Sequence, residues 1–491
     1  MAGGSIKKNY IYNVSFQIFT LLTPLITTPY VSRVLQPEGV GTFNYIHSIA
    51  TYFALLAALG LTSYGLREMS RIRDDKRLVS RLFWELTIIR VVTTLLSVLL
   101  YCGFIAVTGS DWRLYLATGF TILAVGVDFS WFYQAMENFK ALAIRNFAIK
   151  ILTVLCVFIF VRTKDDLIVY TVIQTGSVFL SNLLLVPYLK KWLIPINWRR
   201  MQFVRHVKES LVYFVTTIAT SVYTVLDVTM IGIITRDMAQ NGYYGQAHKI
   251  VKILLTVITS LTVVVGVRTS YLFGQNREEE IRQHIRDTFR FMYMISFPMC
   301  AGLLACSNLF APEFFGTDYT AVGPMMMLFS PLLFIIGISN VLGSLYLTPS
   351  GQRGKSNQAI LIGAGSNLVM NLILIPQLGA MGAVIASVLA ELIISTLYLR
   401  YSHAFISAWQ LIGMAGRYVL YSALMFVPIY LLGQVLPARA TTILVQIGAG
   451  VVIYATLLIL FRDPAWLVCK KALAKKLKRP TPVEEQTNES F

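Results

Sequence analysis

Asp128, Lys150, Asp227, Lys249 and Lys252 stand inside long apolar runs of this sequence. An ionisable group deep in a bilayer is costly, so it normally faces a partner or a water-filled cavity. Each acid can pair with a base, bind Na+ or carry a proton. Among the bases, Lys150 lies five residues deeper in its run than Arg145 and is the better cavity candidate. Lys249 and Lys252 sit near the start of theirs, where snorkelling to an interface competes with a cavity role. His47 and His248 titrate near neutral pH, and either can serve as a packed, hydrogen-bonded side chain or as a proton carrier.

Neutral polar residues accompany these charges at helical spacing. Asn13, Gln17, Thr20 and Thr27 share one helix face, as do Thr216, Thr220, Tyr223 and Asp227. Asn44, His47 and Thr51 mark a third run, Lys249, Lys252, Thr256 and Thr259 a fourth, and Asn367 and Asn371 another. Ser, Thr and Asn often join membrane helices to one another. Stripes on four related runs favour a shared lining of a central hydrated cavity.

The elements that must position these residues follow from composition. The chain has 491 residues, 56% hydrophobic and 13% charged, with a net charge of +18. A soluble domain carries about 25% charged residues. Apolar runs of about 20 residues recur along nearly the whole length, which is the span of a membrane helix. The expected class is an all-α polytopic membrane protein of about 14 transmembrane helices. Their expected cores are 11–35, 42–66, 81–107, 113–135, 141–161, 167–189, 210–235, 243–273, 288–309, 321–347, 357–376, 380–401, 411–434 and 440–462. Long continuous apolar runs exclude the alternation of a β-barrel.

The positive charge clusters between runs, which argues against nucleic acid as its reason. Arg67, Arg71, Arg73, Lys76, Arg77 and Arg81 follow the second span, and further groups follow the sixth and eighth and fill the tail. The opposite loops hold scattered bases, so both termini are expected to be cytoplasmic. Lys7 and Lys8 precede an apolar stretch too long for a signal peptide, which is expected to stay as the first span.

The expected domains are a six-helix bundle over 1–189, a cytoplasmic linker over 190–208, and a second six-helix bundle over 209–404. Helices 13 and 14 follow over 405–463, then a basic tail over 464–491. A weak internal repeat supports the halves. "GTFNYIHSI" from Gly41 aligns with "GYYGQAHKI" from Gly242, bringing Phe43 onto Tyr244, His47 onto His248 and Ile49 onto Ile250. Each pair begins on the same membrane side, which makes the repeat parallel, and transporters commonly bind substrate between such repeats.

Catalytic chemistry finds no support. The five cysteines show no CxxC or Cys/His ligand spacing, so no metal is expected. "SGQRGKS" at Ser350–Ser356 imitates a phosphate loop, but Pro349 occupies the position where the pattern needs glycine and no strand precedes it. Neither an enzyme nor a nucleotide-driven machine is expected.

Five motifs carry a family resemblance. "TTPYVSRVLQPEGVGTFNY", "YGLREMSRIRDDK", "DFSWFYQAMENFK", "GYYGQAHKIVKIL" and "LIPQLGAMGAVIASVLAE" occur in order across spans one to twelve. Together they resemble signatures of the polysaccharide transporter (oligosaccharide flippase) family. That family belongs to the multidrug/oligosaccharidyl-lipid/polysaccharide exporter superfamily. The resemblance implies two pseudo-symmetric six-helix bundles in a V around a central cavity, plus two extra C-terminal helices. It implies a flippase that moves undecaprenyl-pyrophosphate-linked oligosaccharide across the bacterial cytoplasmic membrane by alternating access, for capsule or exopolysaccharide. A polysaccharide polymerase and glycosyltransferases are the expected partners, besides the lipid-linked substrate and membrane lipids.

On this reading Asn13, Gln17, Asn44, His47, Lys150, Tyr223, Lys249 and Lys252 line the substrate cavity, whose bases suit a pyrophosphate. Asp128 and Asp227 are the candidates for H+ or Na+ coupling. Related lipid II flippases carry arginines in their first two helices, where this chain has Asn13, Gln17 and His47, a departure that bears against lipid II as substrate. The competing reading is a cation-coupled multidrug exporter of the same superfamily, which would want an acidic, aromatic cavity.

Overall fold

A bilayer core offers no water to backbone N–H and C=O groups, so spanning segments satisfy them internally as helices. The computed structural model describes residues 3–108, 111–196, 201–275 and 277–467, with the side chains of 3–22, 215–224, 264 and 267 outside the description. In chain order the helices are α1 (Gly3–Ala58), α2 (Leu61–Ile72), α3 (Lys76–Thr108), α4 (Trp112–Thr118), α5 (Phe120–Gly126), α6 (Ser130–Ala135), α7 (Phe139–Phe160), α8 (Leu167–Leu183) and α9 (Phe203–Thr235). Then come α10 (Met238–Gly274), α11 (Glu278–Phe315), α12 (Val322–Phe329), α13 (Leu332–Leu342), α14 (Arg353–Leu378), α15 (Ala380–Tyr401), α16 (Ala408–Val435) and α17 (Ala440–Leu460). Among the described residues, 12 helical segments are long and apolar enough to cross a membrane. One of them, Thr23–Ile72, takes in both of the first two expected spans; α9, whose side chains over 215–224 lie outside the description, is described as an apolar helix over Val225–Thr235.

The breaks have local causes. Within α1, Gln36 adopts φ 59 and ψ 174 ahead of Pro37, so the two expected spans meet at a sharp turn. The second turn, at Leu59 and Gly60, places Gly60 at φ 70, where a Cβ would also lie 2.5 Å from the Ser210 carbonyl oxygen. The expected span over 113–135 corresponds to the segment Trp112–Ala135, built from three short pieces, α4 to α6. Asp128 sits in the turn between α5 and α6 and accepts from the Ser130 amide at 3.0 Å, an interaction that competes with helix continuation. The expected helix over 321–347 is likewise broken at Ser330–Pro331 and ends in a π-helical turn, Gly343–Leu347.

Two compact units emerge. One comprises residues 1–247, 314–325 and 360–390; the other comprises 248–313, 326–359 and the described residues from 391 onward. In the first unit, Tyr64, Phe83, Trp131, Phe132 and Leu185 form a buried aromatic and aliphatic core between α2, α3, α6 and the segment after α8. Val92, Leu95, Leu96 and Leu99 leave α3 on the outside, as a lipid-facing surface requires.

That core also holds the expected linker. The Tyr133 hydroxyl donates to the Leu185 carbonyl at 2.8 Å, and the Ile194 amide donates to Ser80 Oγ at 3.0 Å. Glu85, buried on α3, accepts from the Gln202 amide at 2.8 Å and from Arg81 Nε at 3.1 Å. Its other oxygen lies 2.9 Å from His206 Nε2, and His206 Nδ1 lies 2.7 Å from the Tyr64 hydroxyl. The start of α9 is thus pinned to α2 and α3 through one buried carboxylate.

The second unit is held by similar contacts. Met292 packs against Gly337, where a Cβ would approach its sulfur to 2.6 Å, and Ser395 donates to the Ile335 carbonyl at 2.8 Å. In the α16–α17 pair, Gln446 Nε2 donates to the Ile429 carbonyl at 2.9 Å. Asp463, fully buried, accepts from the Tyr418 hydroxyl at 3.1 Å and faces Arg417 at 3.7 Å. The expected basic tail beyond 467 lies outside the described residues.

Removing one partner of a buried hydrogen-bonded group leaves the others unsatisfied, at about 1–3 kcal/mol each and more where one is charged. His206→Ala and Glu85→Ala are therefore expected to lower the melting temperature of the detergent-solubilised protein clearly. Arg81→Ala, whose side chain is 30% exposed, is expected to lower it much less. Thermal unfolding followed by intrinsic fluorescence checks this ranking.

Candidate transport site

Asp227 lies on α9, buried to 5% exposure. Its carboxylate accepts from the Tyr244 hydroxyl at 2.5 Å, from Asn371 Nδ2 at 2.6 Å and from the Ser387 hydroxyl. Asn367 Oδ1 in turn accepts from Asn371 Nδ2 at 3.1 Å. Four helices, α9, α10, α14 and α15, thus converge on one acid within the first unit. Among the described residues no base pairs with it, so neutral donors alone satisfy the carboxylate. The Asn371 Oδ1 and Asn367 Nδ2 atoms beside it are buried without hydrogen-bond partners. Oxygen ligands around an unpaired carboxylate are what a proton or a small hard cation uses.

Asp128 is a different kind of acid. It was expected inside the end of a helix, but it sits in the turn after α5, with Oδ2 4.0 Å from Arg90 NH1. Arg90, 2% exposed, donates through NH1 to the Asp128 carbonyl and through NH2 to Thr62 Oγ1 at 3.0 Å. The Ser130 hydroxyl also donates to the Asp128 carboxylate. These contacts give Asp128 a structural place joining α2, α3 and α6.

The bases divide in the same way. Arg145 on α7 is half-buried and donates only to neutral acceptors: Asn146 Oδ1 at 2.9 and 2.6 Å, the Ser181 carbonyl at 3.3 Å and Asn182 Oδ1 at 3.3 Å. Asp128 lies within its electrostatic reach but is already engaged by Arg90. Lys150, farther along α7, is half-buried, with no hydrogen bond or ion pair among the described residues. The helix carrying both packs on α1 and α8.

Asn44 and His47 are half-buried on α1. Asn44 Nδ2 lies so close to Gly245 that a Cβ there would overlap it, and His47 stacks on Phe43 at 5.4 Å. In the second unit, Lys249 is half-buried and Lys252 exposed, about three and four turns into α10. Thr256 and Thr259 on the same helix return their hydroxyls to the Lys252 and Leu255 carbonyls at 2.9 and 3.1 Å. The side chains of Asn13, Gln17 and Tyr223 lie outside the described residues.

The sequence marks Asp227, Asn367 and Asn371 but does not connect them; Tyr244 enters there only through the internal repeat, and Ser387 not at all. The usable signal was the alignment of polar positions on α10, α14 and α15 with an acid on α9. Glu85 and Arg90 meet His206 and Asp128 from distant parts of the chain, so no local spacing signals either pairing.

Residues 6–267 match the family model described as polysaccharide biosynthesis protein. The chain belongs to this family. A similar protein of Escherichia coli (strain K12), named for O-antigen transport, is 23% identical over 406 residues, covering 81% of this chain and 96% of its own length. A Haloferax volcanii protein, named for glycan-biosynthesis flipping, is 23% identical over 193 residues, 39% of this chain and 40% of its own. Among solved structures, the fold is similar to the lipid II flippase MurJ in an inward closed conformation, with TM-score 0.74, 17% identity, and coverage of 92% of this chain and 99% of that one. An inward-facing multidrug transporter of the MATE family, from the MOP superfamily, matches at TM-score 0.60 and 13% identity, over 80% and 94%. This member of the polysaccharide biosynthesis family therefore shares the helical fold of the superfamily that the motifs of spans one to twelve suggested.

Asp227→Ala would strand three donors in a buried site, each costing about 1–3 kcal/mol. It is expected to lower the melting temperature well below that of Asp227→Asn, which keeps an acceptor oxygen. Equal losses in the two variants would mean that the three donors find other partners.

Proposed function

We propose that this protein is a flippase that carries undecaprenyl-pyrophosphate-linked oligosaccharide repeat units from the cytoplasmic to the outer leaflet by alternating access, with both termini cytoplasmic. The observation that carries the reading is the uncompensated positive charge on α7. Among the described residues Lys150 is half-buried in a spanning helix without an acid, and Arg145 hydrogen-bonds to neutral groups alone while Asp128, within its electrostatic reach, is paired with Arg90. A base at that depth costs about 3 kcal/mol unless something anionic comes to it. A pyrophosphate supplies that charge and accepts hydrogen bonds from both side chains. Asn44 and His47 on α1, with Asn13, Gln17 and Tyr223, are assigned polar contacts for a glycan, and Lys249 and Lys252, about three and four turns into α10, are assigned further positive charge.

Names of relatives agree with this substrate class: O-antigen transport in one, glycan flipping in another. A multidrug exporter for organic cations would instead meet a basic face, which argues against that alternative. Glycosyltransferases would supply the lipid-linked substrate and a polymerase would consume it.

The driving step is assigned to Asp227. Its carboxylate has oxygen-bearing neighbours and no base, so binding and release of H+ or Na+ there can bias the four helices that meet at it. Asp128, already paired with Arg90, is left as a structural acid.

Lys150→Ala is expected to slow flipping of a lipid-pyrophosphate oligosaccharide about tenfold or more, with Lys150→Arg retaining most of it. The assay is leaflet exposure of the substrate in proteoliposomes, at matched protein incorporation. Full activity in Lys150→Ala would remove this residue from the site. Asp227→Asn is expected to leave transport indifferent to imposed proton and sodium gradients, whereas the wild type responds to one of them.

A further inference from the structure

The internal repeat has a structural counterpart that its sequence function does not use. Its two leading glycines, Gly41 and Gly242, pack against each other's helices with their backbones in contact. A Cβ on Gly41 would fall on the Met238 carbonyl oxygen and 2.7 Å from the Gly242 amide nitrogen. A Cβ on Gly242 would fall on the Pro37 carbonyl oxygen and 3.1 Å from the Pro37 Cα. Pro37 precedes Gly41 by one helical turn, as Met238 precedes Gly242. Each glycine thus meets the carbonyl one turn ahead of the other, the reciprocity of a two-fold interface. All of these residues belong to the first compact unit.

Each arm leaves the crossing through a turn with a non-glycine residue at positive φ, Gln36 at 59 and Arg236 at 54. Such residues store modest strain. Close glycine packing also rests on weak contacts such as Cα–H···O, which separate more readily than ion pairs. A third observation points the same way. Asn241, beside Gly242, is fully buried, and among the described residues neither atom of its amide has a hydrogen-bond partner. Burying that amide unpaired costs about 1–3 kcal/mol, which disfavours the closed arrangement.

We propose that the Gly41–Gly242 crossing is a gate that opens during each transport cycle, with the two glycines allowing closure and the unpartnered Asn241 amide priming release. The crossing lies between spans one and two and between spans seven and eight, on the face away from the basic loops. It is therefore the exit-side barrier of the alternating-access reading, on which this inference rests. The two glycines act as positioning residues, since neither has a side chain to touch substrate.

The test uses Ser48 on α1 and Thr229 on α9, whose hydroxyls lie 2.8 Å apart about two turns along from the crossing. Ser48→Cys and Thr229→Cys are combined in full-length protein whose five native cysteines are replaced by serine. Oxidation is expected to cross-link the pair and stop flipping, and reductant to restore it. Adding Gly242→Ala should lower the cross-link yield several-fold, and Asn241→Ala should raise it. Gly413→Ala, with nothing within 4 Å of its Cβ position, should leave the yield unchanged.

Oxidised protein that flips at the reduced rate would overturn the gate, as would an unchanged yield in Gly242→Ala. A second readout is independent of substrate. Ser48, 4% exposed, is changed to Cys alone in the same background and treated with a membrane-impermeant maleimide. Labelling that Gly242→Ala accelerates supports a gate even where no substrate moves, which would count against the substrate reading only. Ser48→Cys protein with Gly242 and Asn241 intact that stays unlabelled over hours makes the crossing a fixed join and overturns the proposal.

Discussion

The constraint behind the whole structure is the cost of charge in a medium that cannot solvate it. Each ionisable side chain within the spans must find compensation, and the ways they do so sort structural charges from working ones. Glu85 gathers Arg81, His206 and the Gln202 amide. Arg90 gathers Asp128 and Thr62. Both clusters are complete within themselves and tie the short helices of the first unit to α3. Asp227, Arg145 and Lys150 are compensated by neutral groups or by none among the described residues. The first accepts three hydrogen bonds without a base; the other two lie on one helix without an acid bonded to either. On the proposed function, these charges of opposite sign serve separate sites for a coupling ion and an anionic substrate.

The same constraint shapes how segments approach one another. Between membrane helices, small residues allow backbones to touch where larger ones would hold them apart. Gly41 and Gly242 do this reciprocally, and Gly232 and Gly245 leave room for Tyr45 and Asn44 in the same region. Contacts of this kind are tight but weakly directional. They can hold a barrier shut without the free energy that a buried ion pair would demand for its release.

Much of the architecture was legible in the sequence because apolar run length reports spanning helices almost directly. The exceptions are local. Asp128 turns its own backbone through Ser130, so the run over 113–135 breaks where periodicity continues, and Pro331 interrupts the run over 321–347. Of the site, Lys150 and Asp227 stood out as ionisable residues in apolar surroundings. Their meaning did not, because compensation is a three-dimensional property: Asp227 meets Asn371 and Ser387 more than a hundred residues away, while Asp128 meets Arg90 and loses its standing as a free acid. The repeat that aligned Gly41 with Gly242 was faint in sequence, since what it preserves is a close backbone approach rather than a side-chain chemistry.

The central claim is that the unpaired bases of α7 await the pyrophosphate of a lipid-linked glycan. It is tested most directly by competition between two otherwise identical lipid-linked oligosaccharides, one carrying pyrophosphate and one an uncharged linkage, in proteoliposomes containing the wild-type protein. The account predicts that the pyrophosphate form is flipped and that the uncharged form neither moves at a comparable rate nor competes with it. Equal transport of the two forms would contradict it.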